Sequence, residues 1–186
     1  MPTYRTFVAI PTSSDIKQKI LGIQDQLIQS HADVRWEPAE KFHITLKFLG
    51  DCELELIQSL ATELESVLPD VRSFDLEYRS VGCFPNLSRP RVVWIGAAEI
   101  VGLAELQRRV EETCGRFGFP KEDRAFHPHI TLGRVKGSRN LDRLTDRVKS
   151  VTFDSIQTRC GEVHIMRSEL RPTGSVYTLI HSIPLL

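Results

Sequence analysis

Phe42-His43-Ile44-Thr45-Leu46-Lys47-Phe48-Leu49-Gly50 alternates apolar and polar residues, with Phe42, Ile44, Leu46 and Phe48 in one register and Lys41, His43, Thr45 and Lys47 in the other. A period of two argues for a strand with one buried face. The opposite face then carries the histidine and the threonine, roughly 7 Å apart. The tetrapeptide His-Ile-Thr-Leu returns at His129-Ile130-Thr131-Leu132, again in strand context. The copies start at positions 43 and 129 of a 186-residue chain, close to half its length apart. That spacing is the mark of an internal duplication.

Similar elements surround both copies. Thr6 to Ile10 reads as a short buried strand closed by Pro11, and Ser13-Ser14-Asp15 offers an N-cap. Ile16, Ile20, Ile23 and Leu27 give a helix to about Ser30, and Leu54, Ile57, Leu60, Leu64 and Leu68 give a second that ends at Pro69. Strands are expected over 74–81 and 91–95, joined by the turn-rich segment Pro85 to Pro90. Leu103, Leu106, Val110 and Phe117 mark a third helix, and Leu141, Leu144 and Val148 a fourth after the second repeat. Late strands are expected near 152–157, 162–169 and 176–183. The pattern predicts an α+β fold of two similar lobes, with largely antiparallel sheets facing a central groove and helices outside. No linker divides the chain, so residues 1–186 are read as a single bilobal domain with its motifs at 43–46 and 129–132.

The formal net charge is zero, which argues against non-specific capture of nucleic acid. Charge is nonetheless uneven. Residues 51 to 70 carry Asp51, Glu53, Glu55, Glu63, Glu65 and Asp70, whereas Lys121, Arg124, Arg134, Lys136, Arg139, Arg143, Arg147 and Lys149 crowd the second repeat. These runs read either as solvated helix faces or, for the second, as a modest basic rim able to hold a phosphorylated end. The four cysteines are scattered without a Cys-x-x-Cys pair, and Met1-Pro2-Thr3-Tyr4-Arg5 lacks the apolar run of a signal peptide. A reduced, cytoplasmic protein with no membrane span is expected.

An imidazole titrates near neutrality, so one histidine can act as a base while another, protonated, acts as an acid. In-line cleavage of a phosphodiester needs both, on opposite sides of the phosphorus. Threonine hydroxyls two residues on can donate to the non-bridging oxygens as charge builds there. His43, Thr45, His129 and Thr131 therefore fit metal-free phosphodiester chemistry with no cofactor. The pair carries this reading; a single His-x-Thr would be unremarked. His127-Pro128-His129 offers a rival, since two histidines two apart on a strand share a face and could bind zinc. A third ligand would have to come from elsewhere, and Pro128 suits a strand start. His127 is otherwise expected to brace the site by a hydrogen bond or to sit at the strand's mouth.

Arg134 follows the second repeat and could reach a phosphate bidentately. Lys47 holds a comparable place after the first, and alternation puts it on the face of His43 and Thr45. Phe7, Phe84, Trp94 and Phe126 are candidates for a base to stack upon. His31, His164 and His181 have no repeated context and receive no role.

In these residues the chain resembles the 2H phosphoesterase superfamily, which is defined by two His-x-Thr/Ser-x motifs. Within it the likeness is to the RNA 2′,3′-cyclic phosphodiesterase family, also called 2′-5′ RNA ligases. It covers Arg5 to Ile10, Phe42 to Gly50, Pro90 to Gly96 and Phe126 to Arg134, and little of the last 40 residues. The resemblance implies metal-independent hydrolysis of RNA or nucleotide ends bearing a 2′,3′-cyclic phosphate, with a 2′-phosphate product. It implies His43 as proton donor to the 3′ oxygen, His129 as acceptor from water, and Thr45 and Thr131 on the phosphate. Joining of such ends through a 2′-5′ bond is implied as a further reaction. The alternatives are a non-catalytic nucleotide- or RNA-binding module, or a phosphodiesterase for another cyclic or 2′-5′-linked substrate. A monomer is expected, because the groove needs only the two lobes of one chain.

Overall fold

Among residues 3–172 and 174–186, which the structure (a computed structural model) describes, nine strands and four α-helices follow one another. They are β1 (Thr3–Pro11), α1 (Ser14–Ile28), β2 (Val34–Trp36), β3 (His43–Glu53), α2 (Leu54–Val67), β4 (Phe74–Phe84), β5 (Val92–Ala97), α3 (Val101–Arg116), β6 (His129–Val135), α4 (Leu141–Ser150), β7 (Ile156–Cys160), β8 (Glu162–Arg171) and β9 (Gly174–Pro184). Single 3-10 turns lie at Ala39–Lys41 and Leu68–Asp70.

The strands form two antiparallel sheets, β3-β1-β8-β9 and β2-β6-β5-β4-β7. Each repeat strand sits in a different sheet, β3 at the edge of the first and β6 inside the second, and β3 runs against β6 where the sheets meet. The sheets are not the two halves of the sequence. Early β2 pairs with β6, while late β8 returns to β1 and carries β9 on its other side. β2 falls outside the sequence expectations because three residues are too few to establish a period. The strand expected at 152–157 begins at Ile156, the first residue able to pair with Tyr78.

Burial follows position. β1 lies between β3 and β8, so Phe7, Val8, Ala9 and Ile10 are all buried and the strand does not alternate. Helices present apolar stripes, such as Ile16, Ile20, Ile23 and Leu27 on α1 or Leu103, Leu106 and Val110 on α3. One apolar cluster runs through both sheets. Ser13 is the N-cap residue of α1, yet its hydroxyl bonds to Asp15 rather than to the helix end. The four cysteines are buried and unpaired. Among the described residues no helix is long and apolar enough to cross a membrane.

Both repeat strands contain the same irregularity. Against β1, Thr45 pairs with Ala9 and Lys47 with Val8, leaving Leu46 as an extra residue; against β5, Thr131 pairs with Trp94 and Gly133 with Val93, leaving Leu132 extra. Each is a β-bulge, where two residues oppose one and the strand bends. The residue after the leucine turns inward in both: Lys47 is buried, and a Cβ on Gly133 would lie 2.6 Å from Val34 Cγ1 and 2.8 Å from Trp36 Cε3. The displaced Leu132 carbonyl accepts from the Glu37 N–H and from Gln24 Nε2, each at 2.8 Å. Gln24 also donates to the Glu37 carbonyl at 2.8 Å, from a buried position on α1. Gln24→Ala should lower the free energy of unfolding by about 1–3 kcal/mol, the cost of stranding buried acceptors. A urea midpoint equal to the wild type's would remove this role.

Candidate active site

The bulges decide what reaches the groove. His43 and Thr45 leave β3 on one side, as do His129 and Thr131 on β6, and all four line one cavity of about 560 Å³ between the sheets. Beyond each bulge the face reverses, so the fifth residue after each histidine, Phe48 or Arg134, lines the same cavity. Arg134 is where the sequence suggests. Lys47 is not. Instead of facing the groove it turns inward, with 1% of its side chain exposed, to Glu111 Oε1 on α3 at 2.6 Å and to the Pro120 carbonyl. The aromatic Phe48 takes the outward position and is 62% exposed, although simple alternation would bury it.

Each histidine rests on an aromatic ring from its own sheet, Phe7 of the adjacent β1 for His43 and Phe84 of β4, two strands away, for His129. His43 stacks on Phe7 with centroids 4.9 Å apart, and the Tyr177 edge meets it at 5.4 Å. His129 meets Phe84 edge-on at 4.9 Å. Phe7 and Phe84 thus support the imidazoles. Trp94 packs against the His127 ring, and Phe126 does not line the groove.

His129 Nδ1 lies 2.7 Å from the His127 carbonyl. A carbonyl only accepts, so Nδ1 carries the proton and Nε2 of the neutral ring holds the lone pair. His127 therefore braces the site through its backbone. His43 Nε2 sits 3.1 Å from Thr45 Oγ1, and the Lys41 backbone favours the charged form of its ring. Burial is the main force on both rings. It takes His43 down to about 4, aided by positive charge on His129 and Lys17, and opposed by the Lys41 backbone and Glu37. It lowers His129 as well, aided by charge on His127 and Arg134 and opposed by the His127 backbone bond. That the charge of His129 is felt by the His43 ring fits imidazoles facing one space.

Charged and aromatic groups missed by the sequence reading complete the wall. Glu37 pairs with Lys41 at 3.1 Å and Arg134 at 3.5 Å, and Lys41 lies 5.9 Å over the Tyr177 ring. Tyr177 belongs to β9, which reaches the site only because the chain end returns to the first sheet. The acidic run of 51–70 is partly paired, Glu63 with Arg116, Glu65 with His181 and Asp70 with Arg109. From the basic run of 121–149, Arg134 alone lines the groove. Among the described residues no three His, Cys, Asp or Glu side chains group as metal ligands, so the His127 and His129 pair lacks the further ligand that zinc would need.

The chain matches the sequence profile of the 2′-5′ RNA ligase superfamily over residues 22–172. It is 33% identical to a Methanothermobacter thermautotrophicus protein named RNA 2′,3′-cyclic phosphodiesterase, over 94% of this chain and 95% of that one. A Methanocaldococcus jannaschii protein of the same name is 32% identical, over 95% and 98% of the two chains. In three dimensions the chain is similar to E. coli LigT in apo form, with a TM-score of 0.77, 26% identity and coverage of 100% and 99%.

The low proton affinity of His43 can be checked directly. Its ring resonances should titrate near pH 4 in the free protein. Because the folded value lies below the unfolded one, stability from this group is present above about pH 6.5 and is lost as pH falls through about 4. Adding inorganic phosphate should move the titration upward. A free-protein midpoint at or above 6.5 would contradict the burial argument.

Proposed function

The chain belongs to the 2′-5′ RNA ligase superfamily, and from that premise we propose that it hydrolyses RNA or nucleotide ends bearing a 2′,3′-cyclic phosphate to 2′-phosphomonoesters. The observation that carries the reading is the meeting of two identical His-x-Thr motifs, from different sheets, on one groove. His129 Nε2, its lone pair fixed by the Nδ1 bond, takes a proton from water as the water oxygen bonds to phosphorus. The bond from phosphorus to the 3′ oxygen breaks, and His43 gives that oxygen its proton. A 3′-hydroxyl and a 2′-phosphate result. Thr45, Thr131 and Arg134 donate to the non-bridging oxygens, where charge accumulates.

His43 has to be protonated to act as the acid, and in the free protein its burial opposes this. The substrate itself supplies the remedy. A phosphate anion beside the ring favours the imidazolium, so the acid is charged when there is a leaving group to protonate. Phe48 offers an exposed aromatic face at the cavity wall on which a base can stack. Were an RNA 5′-hydroxyl to replace water, the same proton transfers would form a 2′-5′ bond. Both motifs come from one chain, so we read residues 1–186 as one bilobal unit that acts as a monomer, with no metal or cofactor in these steps.

His43→Ala and His129→Ala should each lower turnover of a 2′,3′-cyclic nucleotide by about 10²–10⁴, with a bell-shaped pH profile in the wild type and full activity in chelator. Near-normal rates in both variants would sink the assignment. A 3′-phosphate product would reverse the leaving oxygen, and binding without turnover would favour the non-catalytic module. Phe48→Ala should raise KM by about tenfold with a smaller change in kcat, the scale of one base–aromatic stack. An unchanged KM would take the base elsewhere.

A further inference from the structure

Glu37 lies between β2 and β3 and is 8% exposed. Its main chain is fixed on both sides, the N–H by the Leu132 carbonyl and the carbonyl by Gln24, each at 2.8 Å. Its carboxylate lines the groove with Lys41 Nζ at 3.1 Å, Arg134 Nε at 3.5 Å and Arg35 at 3.9 Å. Lys41 leads into the first motif and Arg134 follows the second, so one carboxylate ties cations from both halves of the site. If the groove had only to attract phosphate, a nearly buried negative charge in its wall would be counterproductive. Its field reaches both His43 and Tyr177.

A cyclic diester carries one negative charge, whereas a monoester carries close to two at neutral pH. Repulsion from a fixed carboxylate scales with the ligand's charge, so it weighs more on the product than on the substrate. We propose that Glu37 is a positioning residue that holds Arg134 and Lys41 in the groove and, by its own charge, makes the site prefer the singly charged cyclic diester over the doubly charged 2′-monoester. Product leaves more readily as a result. This rests on the cyclic-phosphate reading above and goes beyond it, since hydrolysis needs no such selectivity.

The test is the ratio of product Ki to substrate KM, measured with a 2′,3′-cyclic nucleotide and the matching nucleoside 2′-monophosphate. In Glu37→Gln the ratio should fall by about tenfold, the order expected for one unit charge a few ångströms away at partial screening. Progress curves should stall earlier as product accumulates. Glu37→Asp keeps the charge and should keep the ratio. Lys41→Gln, which leaves Glu37 less compensated, should move the ratio upward and serves if the Gln variant does not fold. An unchanged ratio in Glu37→Gln, including the case where Ki and KM weaken together as for a merely structural residue, overturns the proposal. A wild type that never turns over the cyclic nucleotide would instead sink the functional reading.

Discussion

A strand residue with no opposite number on its neighbour turns over the residues that follow it and leaves its own backbone groups to be satisfied elsewhere. Leu46 and Leu132 do this at the same point of each motif. The site depends on that paired displacement. Without the bulges, the fifth residue after each histidine would lie on the buried face, and neither Arg134 nor Phe48 would reach the groove. The inward turn also accounts for the residues that follow the leucines. On β3 it carries Lys47 into a buried ion pair with Glu111, which joins the first sheet to α3. On β6 it demands Gly133, because Val34 and Trp36 of β2 occupy the space of a side chain.

The second bulge also explains how α1 and the β2–β3 segment are bound to the site. The Leu132 carbonyl is met by Gln24 from the helix and by Glu37 from the segment. Glu37 is therefore part of the backbone repair and, through its carboxylate, part of the electrostatics of the groove. A buried charge is costly unless it is paired, and here the partners include two cations that line the groove, Lys41 and Arg134. A backbone anchor and a groove-lining carboxylate meet in one residue.

The two imidazoles are held alike and differ in surroundings. Both rest on a phenylalanine, Phe7 or Phe84, and each has a polar partner two residues away, Thr45 Oγ1 for His43 and the His127 carbonyl for His129. His43 adds Tyr177 at its edge and the charge of Lys17 nearby, and burial lowers its proton affinity far enough to give it a value of about 4. The duplication supplies two equivalent imidazoles, and the fold gives them unequal surroundings.

Much of this was legible in the chain. The repeated His-Ile-Thr-Leu identifies the four residues at the centre, the helical stripes give four helices near their observed bounds, and Arg134 follows from its place beside the second motif. These are local properties, carried by residue type and by periods of two and 3.6. What only the tertiary structure decided depends on partners distant in sequence. β2 exists because β6 is there to pair with it; Tyr177 joins the site because β9 returns to the first sheet. Lys47 and Phe48 exchange faces because a bulge shifts the register against β1, and Glu37 gains its importance from cations that come together only in the folded chain. Alternation records which face a regular strand would bury, but a one-residue slip reverses every later side chain, and that slip is set by the neighbouring strand.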